Sequence, residues 1–378
     1  MHLTLSRSPL AKALDFIKSV VAARSTIPII SNVRLDAKDG RLMLSATDLD
    51  IEAQTSVAAD IKTPGEITVP ARTLADIIRK LASDQVTFEV KAGEGRMQVR
   101  SGRAKFHLPT LSSDDWPTLE RGEMTHAFMV TAFALSRALK KTTFAISNEE
   151  TRYYLNGVFM HVATIDGAEK LRLVTTDGHR LARLEMPAPR GAPGMPGVII
   201  PTKTCAELAR MAEAAMKDNK DTTPEIAIEV SAQKIAFRCG DSALLSKLID
   251  GSFPDYARVI PTGNDKIAII SRDAMTPAVE RVATIVSDRG RAVKLNIDAG
   301  KLSLAVNDPD SGSASEEVEI DYDASAIEIG FNHKYLLDGL NALDGDTARL
   351  ELAESGSPAL LRSAPDADLL IVLMPMRV

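Results

Sequence analysis

One short stretch of this 378-residue chain sets an acid and a base around a glycine: Thr176-Asp177-Gly178-His179-Arg180. An Asp and a His held at a turn could move a proton, which makes this the best candidate for acid–base chemistry. The six histidines (His2, His107, His126, His161, His179 and His333) are otherwise dispersed, with no two at metal-ligand spacing. There is no phosphate-cradling glycine loop followed by Lys-Ser/Thr and no Gly-x-Ser-x-Gly elbow; Gly93-Glu94-Gly95 reads as a turn between strands. Cys205 and Cys239 are the only cysteines and read as buried thiols of a reducing compartment. No catalytic residue, metal or cofactor is expected.

The elements around that stretch occur three times. A hairpin turn and an alternating strand recur at Asp39-Gly40-Arg41-Leu42, Asp166-Gly167 with Lys170-Leu171, and Ala299-Gly300-Lys301-Leu302. Each reaches a polar turn, at Thr47-Asp48, Thr176-Asp177 and Asn307-Asp308-Pro309. Leu42 to Leu171 is 129 residues and Leu171 to Leu302 is 131. A second landmark, an apolar strand running into a helical pattern, ends at Pro70, Pro201 and Asn332, 131 residues apart in both intervals. All three turns keep the Asp but only the second has His and Arg, so the Asp reads as turn chemistry.

Each unit opens with a strand and a first helix (about Ser8–Ala23, Ala132–Thr143 and Arg272–Ser287), with Ser8, Thr131 and Ser271 as caps. Alternating strands, a second helix and further strands follow. The expected class is α+β, three tandem copies of one domain with antiparallel sheets and two helices each. The domains run 1-122, 126-250 and 251-378, a length that suits more than one core. With aromatics at 4%, the core must rest on Leu, Ile, Val, Ala and Met. Met1–Arg7 has no basic start ahead of an apolar run, and no stretch approaches the roughly 18 apolar residues of a span. A cytoplasmic protein without a membrane partner is expected.

The net charge of -6 hides an asymmetry. Ser8–Arg24 carries Lys12, Lys18 and Arg24 against Asp15; Ala71–Ala82 carries Arg72, Arg79 and Lys80 against Asp76; Ala132–Thr143 carries Arg137, Lys140 and Lys141 with no acid. Thr202–Lys217, with Lys203 and Arg210, is also net positive, whereas Arg272–Arg289 and His333–Leu343 are neutral. The helices total +8 and the remainder -14. A shared basic helix face would attract phosphates without reading sequence.

The chain resembles the bacterial DNA polymerase III beta sliding clamp family over its full length. The resemblance lies in Arg24-Ser25-Thr26-Ile27-Pro28-Ile29, Val69-Pro70-Ala71-Arg72, Arg100-Ser101-Gly102-Arg103, Arg152-Tyr153-Tyr154-Leu155-Asn156-Gly157, Thr176-Asp177-Gly178-His179-Arg180-Leu181, Asp250-Gly251-Ser252-Phe253-Pro254-Asp255-Tyr256 and Met374-Pro375-Met376-Arg377. It implies a head-to-tail homodimeric ring on double-stranded DNA, helices inside and sheets outside, serving as a processivity factor without catalysis. The implied partners are the DNA polymerase III alpha subunit, the clamp loader delta subunit and other proteins carrying clamp-binding peptides.

The resemblance also implies residues. A strand around Arg103–Leu108 meets Ser315–Ile320 of the other copy, with Phe106 and Leu108 on Ile285 and Val286, and Arg96, Arg103 and Lys105 facing Glu316, Glu317 and Glu319. The peptide pocket is similar to Leu155, Thr176, Gly178, His179, Arg180, Leu181, Pro254, Arg258, Val259, Val372, Met374, Pro375, Met376 and Arg377; Gly356 and Pro358 depart from the family at its rim. DNA contacts correspond to Arg24, Arg72, Lys203 and the loop before Tyr153 and Tyr154, which here reads Asn148-Glu149-Glu150. Arg79, Arg137, Lys140 and Lys141 join them from the helix charges. Two other readings stand beside this one: a DNA-processing enzyme using Asp177 and His179, and a non-ring repeat scaffold that binds DNA on an open basic face.

Overall fold

The computed structural model describes residues 1–21, 26–91, 93–219, 222–287, 292–308, 311–363 and 368–377. Arg24, a residue expected at DNA, lies outside them, as do Pro309 of the third turn and Arg289 of a helix charge count.

The three copies are visible in the element order. The first runs β1 (His2–Ser6), α1 (Arg7–Lys18), β2 (Asn32–Lys38), β3 (Arg41–Thr47), β4 (Ile51–Ala58), β5 (Asp60–Thr63), β6 (Gly65–Pro70), α2 (Ala71–Lys80), β7 (Gln85–Val90), β8 (Arg96–Ser101) and β9 (Ala104–Pro109). The second runs β10 (His126–Thr131), α3 (Ala132–Thr142), β11 (Gly157–Ile165), β12 (Ala168–Thr176), β13 (Arg180–Pro187), β14 (Val198–Pro201), α4 (Thr202–Asp218), β15 (Glu225–Val230), β16 (Lys234–Cys239) and β17 (Ser242–Lys247). The third runs β18 (Lys266–Ser271), α5 (Arg272–Val282), β19 (Ala292–Asp298), β20 (Lys301–Asp308), β21 (Gly312–Asp321), β22 (Ile327–Asn332), α6 (His333–Ala342), β23 (Thr347–Leu352), β24 (Ala359–Ser363) and β25 (Leu369–Leu373). Among the described residues, only β5 has no counterpart in the other copies.

The sequence dictates these elements locally. In α2, Leu74, Ala75 and Ile78 are buried while Arg72, Asp76, Arg79 and Lys80 are exposed, the 3.6-residue stripe of a helix on a core. In β19 the alternation of buried Val293, Leu295 and Ile297 with Lys294 and Asn296 marks a half-buried strand. The landmark residues stop one element and start the next. Pro70 caps α2, and Asn332 caps α6 by accepting from the Lys334 amide at 3.0 Å. Thr131 and Ser271 accept from the amides of Ala134 and Ala274, as caps should.

Helix ends differ from expectation. The first helix starts at Arg7 with Ser6 at the cap and no side-chain bond, so Ser8 is inside it. It ends at Lys18, short of Ala23, and α5 ends at Val282, where a 3-10 turn over Ala283–Ile285 takes over. Pro277 inside α5 removes one amide donor. Extending α4 to Asp218 brings its net charge to zero.

Among the described residues every strand pairing is antiparallel, in three sheets: β5-β1-β7-β8-β9, then β10-β15-β16-β17-β4-β3-β2-β6, and a twelve-stranded β14-β11-β12-β13-β25-β24-β23-β18-β21-β20-β19-β22. Two compact units divide the chain: Met1–Ser136 with Pro189–Pro196 and Lys203–Leu248, and Arg137–Ala188 with Gly197–Thr202 and Ile249–Val378. The first unit holds the five- and eight-stranded sheets and the second holds the twelve-stranded one. Within each unit a sheet passes from one copy to the next. In the first, β17 pairs with β4, Ala243 opposite Gln54 and Leu245 opposite Glu52. In the second, β25 pairs with β13, Leu370 opposite Arg183 and Val372 opposite Leu181.

The two seams have one register. Counting along the ladders from the Thr131 and Ser271 caps makes Ala243 the counterpart of Leu370, and the Asp48 and Asp177 turns make Gln54 the counterpart of Arg183.

Side-chain ties reinforce the second unit. Arg137 on α3 donates to Asp344 at 2.6 Å and to Asp368 at 2.5 Å, and Lys141 reaches Asp344 at 2.6 Å. Partial burial pushes the Asp344 carboxyl up, but hydrogen bonds and charge from Lys141 and Arg137 outweigh it, so its pKa lies below the ordinary Asp value.

Such a group stabilises the fold fully above its unfolded pKa, and that contribution is lost as pH falls through the depressed folded value. Asp344→Asn should therefore be less stable than the parent at neutral pH, with the gap closing under acid. Urea midpoints across a pH series measure it, and a gap independent of pH would refute the assignment. Gly157 makes a second prediction: a Cβ there would lie 2.2 Å from the Ile200 carbonyl oxygen across the β11–β14 ladder. Gly157→Ala should destabilise by about 1–3 kcal/mol, read as a lower urea midpoint.

Candidate functional site

The conserved place of the turn aspartates in the three copies has a single physical origin. Asp48 Oδ1 accepts from the amides of Asp50 and Ile51, Asp177 Oδ1 from those of His179 and Arg180, and Asp308 Oδ1 from that of Ser311. The second oxygen of each is also bonded: Lys203 on Asp48, Arg180 Nε at 3.0 Å on Asp177, and the Ser287 hydroxyl at 2.5 Å on Asp308. Asp177 is thus committed to its turn, while His179 is exposed and stacks on Tyr335, ring centroids 6.3 Å apart. The Asp and His of this stretch are neighbours in sequence and make no side-chain pair with each other in the turn.

What the His-Arg extension builds is a surface. Arg180 donates to Asp338 at 2.5 Å and lies over the rings of Tyr335, at 4.4 Å, and Phe144, at 5.3 Å. Gly178 sits at φ +88, a backbone conformation that favours glycine, and a Cβ there would displace the movable guanidinium end of Arg152, 2.6 Å away. Arg152 is held by Glu149 at 2.8 Å and by the Asp177 carbonyl at 3.1 Å.

Beside this turn lies an apolar cluster. Leu181 and Val372, cross-strand partners at the seam, are buried with Val174, Tyr256, Leu360 and Leu370, and Phe159, Phe253 and Ile260 pack against them. Phe253 and Phe159 stack with centroids 4.8 Å apart. The chain end continues the surface: the Met374 amide donates to the His179 carbonyl at 2.9 Å, and the Met376 amide to the Gly330 carbonyl at 2.8 Å. Met374 and Met376 are exposed at 38% and 37%, Val259 at 47%. Exposed, flexible apolar side chains of this kind are suited to contact with a partner. Thr176 closes the turn by donating to the Arg180 carbonyl at 2.8 Å.

The other expected pocket residues are arranged around this cluster with differing exposure. Leu155 is buried, Pro375 half-buried, and Pro254, Arg258 and Arg377 exposed, with Arg258 paired to Asp255 at 2.8 Å. Gly356 is exposed in the turn closed by Ser357 onto Glu354, and the Pro358 carbonyl accepts from Asn264 at 3.0 Å. Val174, Tyr256, Leu360 and Phe253 were missed from the sequence. Val174 and Leu360 could have been found by stepping two residues along their strands; Tyr256 and Phe253 lie in irregular chain with no period to read.

The basic helix residues are mostly engaged by acids of their own unit. Lys203 is held by Asp48 and by the Val20 carbonyl at 2.8 Å, Arg79 by Asp15 at 2.8 Å, and Arg137 and Lys141 as described above. Arg72 is exposed and donates to the Val21 carbonyl at 3.3 Å, and Lys140 is exposed. Tyr153 is 52% exposed and meets Tyr154 edge-on at 5.8 Å. Glu149 of the altered loop is paired with Arg152, which holds its carboxyl below the usual range. No cluster of three or more His, Cys, Asp or Glu suited to a metal occurs among the described residues, and no helix among them is long and apolar enough to cross a membrane.

Two of the strand edges left without a full partner among the described residues are those of β9 and β21. β9 ends the five-stranded sheet, presenting Lys105, Phe106 and His107 to solvent, whereas Leu108 is buried in its own sheet. β21 pairs with β20 throughout but meets β18 only at Ile320 and Asp321. On that strand Glu316 is held by Arg281 at 2.9 Å, Glu317 by Lys301 at 2.5 Å, and Glu319 is exposed. Arg96 and Arg103 are exposed, and Ile285 and Val286 half-exposed.

Comparison with known proteins covers the whole chain. Three family models match, the N-terminal, central and C-terminal domains of the DNA polymerase III beta subunit, at residues 1–120, 130–255 and 257–377. The chain is 46% identical over 379 residues to the beta sliding clamp of Caulobacter vibrioides and 36% identical to that of Escherichia coli K12, each covering 100% of both chains. Among solved structures, the DnaN sliding clamp of Bartonella birtlesii bound to griselimycin matches with a TM-score of 0.95 at 46% identity over 100% of both chains. A Caulobacter crescentus DNA polymerase sliding clamp matches with 0.93 at the same identity and coverage. With three repeated domains, sheets continuous across their seams and full-length identity at this level, the chain belongs to the family of DNA polymerase III beta subunits, the beta sliding clamps.

Proposed function

We propose that two copies of this chain join head to tail around duplex DNA in the cytoplasm and slide on it, tethering the replicative polymerase without catalysis of their own. Residues 1-122, 126-250 and 251-378 act as the clamp domains. One observation carries the assembly: the seam pairing that occurs twice within the chain leaves one partner unmatched on each side. Strand β9 is the counterpart of β17, since Gly102 and Gly240 make the same hairpin turn at φ +56 and +55. Strand β21 is the counterpart of β4, since Leu44 faces Thr55 as Leu304 faces Glu316.

Carrying the seam register over sets Lys105 opposite Ser315 of the second copy, His107 opposite Ser313 and Arg103 opposite Glu317. Opposite charges then face each other at one strand end, Arg103 against Glu317. Phe106 borders a cavity of about 670 Å³ lined by Ile77, Leu81 and Ala104, room for apolar side chains such as Ile285 and Val286 of the other copy. A head-to-tail contact that closes satisfies both edges.

For DNA, exposed Arg72 and Lys140, with Arg24, Arg79 and Lys203, are the phosphate contacts we favour. Arg137 and Lys141 contribute positive potential while pinned by Asp344 and Asp368. Several of these cations exchange one anion for another on meeting DNA, which weakens each contact and suits a ring that holds by enclosure. Tyr153 and Tyr154 complete the set of DNA contacts in this reading. The surface of His179, Leu181, Val372, Met374 and Met376 takes apolar anchors of extended peptides from the polymerase alpha subunit, the loader delta subunit and other partners. Opening the ring falls to an ATP-driven loader.

Cysteines at the predicted partners test the assembly. Lys105→Cys with Ser315→Cys should form covalent dimers under mild oxidation, and Lys105→Cys with Glu316→Cys, one residue out of phase, should not. Equal yields, or none, would sink the register. Enclosure is tested on nicked circular DNA: protein loaded there should be lost within the dead time of linearisation, whereas a binder on an open basic face stays until salt is raised. His179→Ala should weaken binding of a partner peptide by roughly tenfold or more and leave the dimer intact; calorimetry and sedimentation read the two effects separately.

A further inference from the structure

On the sheet face that carries Leu181 and Val372, four guanidinium groups share two carboxylates. Arg183 and Glu185 follow Leu181 in phase along β13, Arg172 stands opposite Glu185, and Arg362 stands opposite Arg349. Glu185 accepts from Arg172 at 3.0 Å and lies 3.6 Å from Arg183. Glu351 accepts from Arg349 at 2.8 Å and lies 3.4 Å from Arg362, out of hydrogen-bond alignment. In each trio the second arginine is poorly served. The Nε–H groups of Arg183 and Arg362 are buried and have no hydrogen-bond partner among the described residues. Burial lowers the Arg183 pKa, Glu185 opposes it, and the charges of Arg172 and Arg362 lower it further. A buried donor without an acceptor costs free energy, and an excess of like charge adds to that cost.

These two arginines flank one residue. Arg183 is opposite Leu370, and Arg362 is one step beyond the Leu361–Ile371 pair, so they approach Leu370 from either side. Strands two apart are separated by roughly 10 Å, within which two arginine side chains can reach one small anion. The arrangement belongs to this seam alone, because the counterpart of Arg183 at the first seam is Gln54.

We propose that Arg183 and Arg362 form a carboxylate-binding site for an acidic side chain of a peptide whose apolar anchor occupies the surface around Leu181 and Val372. The proposal rests on the peptide-pocket reading above and adds to it the chemistry of the occupant. An acid supplies what the site lacks: negative charge, and acceptors for the two stranded donors. Spacing selects an acidic peptide over a free anion. Arg183 is two residues from Leu181 on β13, and an extended peptide advances about 6.6 Å in two residues, which sets the acid two positions from the anchor.

The test uses the full-length protein and fluorescence anisotropy with three synthetic peptides: an apolar anchor with Glu two positions away, the same peptide with Gln, and the Glu peptide with its anchor replaced by Ser. The parent should bind the Glu peptide about tenfold more tightly than the Gln peptide, the gain of one charge-assisted contact. In Arg183→Met and Arg362→Met that preference should fall to near unity with Gln-peptide affinity unchanged. Thermal melts establish that each variant is folded, and the Glu-over-Gln ratio on the parent needs no variant. Equal Glu and Gln binding by the parent, with the Ser peptide not bound, overturns the carboxylate site and leaves the pocket standing. An acid preference that survives in both folded variants also overturns it. Failure of every peptide to bind overturns the pocket and the site together.

Discussion

A β-strand in the middle of a sheet has partners for its amides and carbonyls on both sides, and the architecture of this chain follows from meeting that demand between copies of a repeat. Each copy makes a strand from its first half and a strand from its last half that have no full partner within the copy. β17 finds β4, and β25 finds β13, in the same register. The ladders so formed are long, which is why the compact units divide the second copy between them: β10 and β15 to β17 go with the first copy, β11 to β14 with the third. The repeat is the unit of sequence and the seam is the unit of packing.

The proposed pocket is a by-product of the second seam. Bringing β13 beside β25 puts Leu181 against Val372 and leads the chain end past His179, whose carbonyl the Met374 amide bonds. The turn that precedes β13 is the same device in all three copies, an Asp accepting from one or two backbone donors of the turn. The second copy alone adds Gly178, His179 and Arg180, and with them the contacts to Tyr335, Phe144 and Asp338. In the proposed function, a shared turn becomes a site by the addition of side chains to one instance of it, with the backbone hydrogen bonds of the turn retained.

Much of this was legible in the sequence because it is local. Period-two alternation marked the strands, the 131-residue step marked the copies, and Thr131, Ser271 and Asn332 marked helix starts. The turn role of Asp48, Asp177 and Asp308 followed from their recurrence without the His. Helix ends were less legible, since a 3-10 turn after Val282 continues the apolar pattern without the helix. The partners of the basic residues were invisible for a different reason: Arg137 meets Asp344 and Asp368 at separations of 207 and 231 residues, which no spacing rule reaches. Counting charges along helices therefore overstated how many were available. The pocket floor was half legible, with Leu181 and Val372 on periodic strands and Tyr256 in irregular chain.

The composition of the β9 and β21 edges also governs what the chain avoids. Lys105 and His107, with Arg103 just before them, make one edge basic, while Glu316, Glu317 and Glu319 make the other acidic. Two β9 strands brought together would repel, and so would two β21 strands, whereas either accepts the other kind. A newly synthesised subunit is consequently guarded against same-edge stacking, the step by which exposed strands seed insoluble fibres.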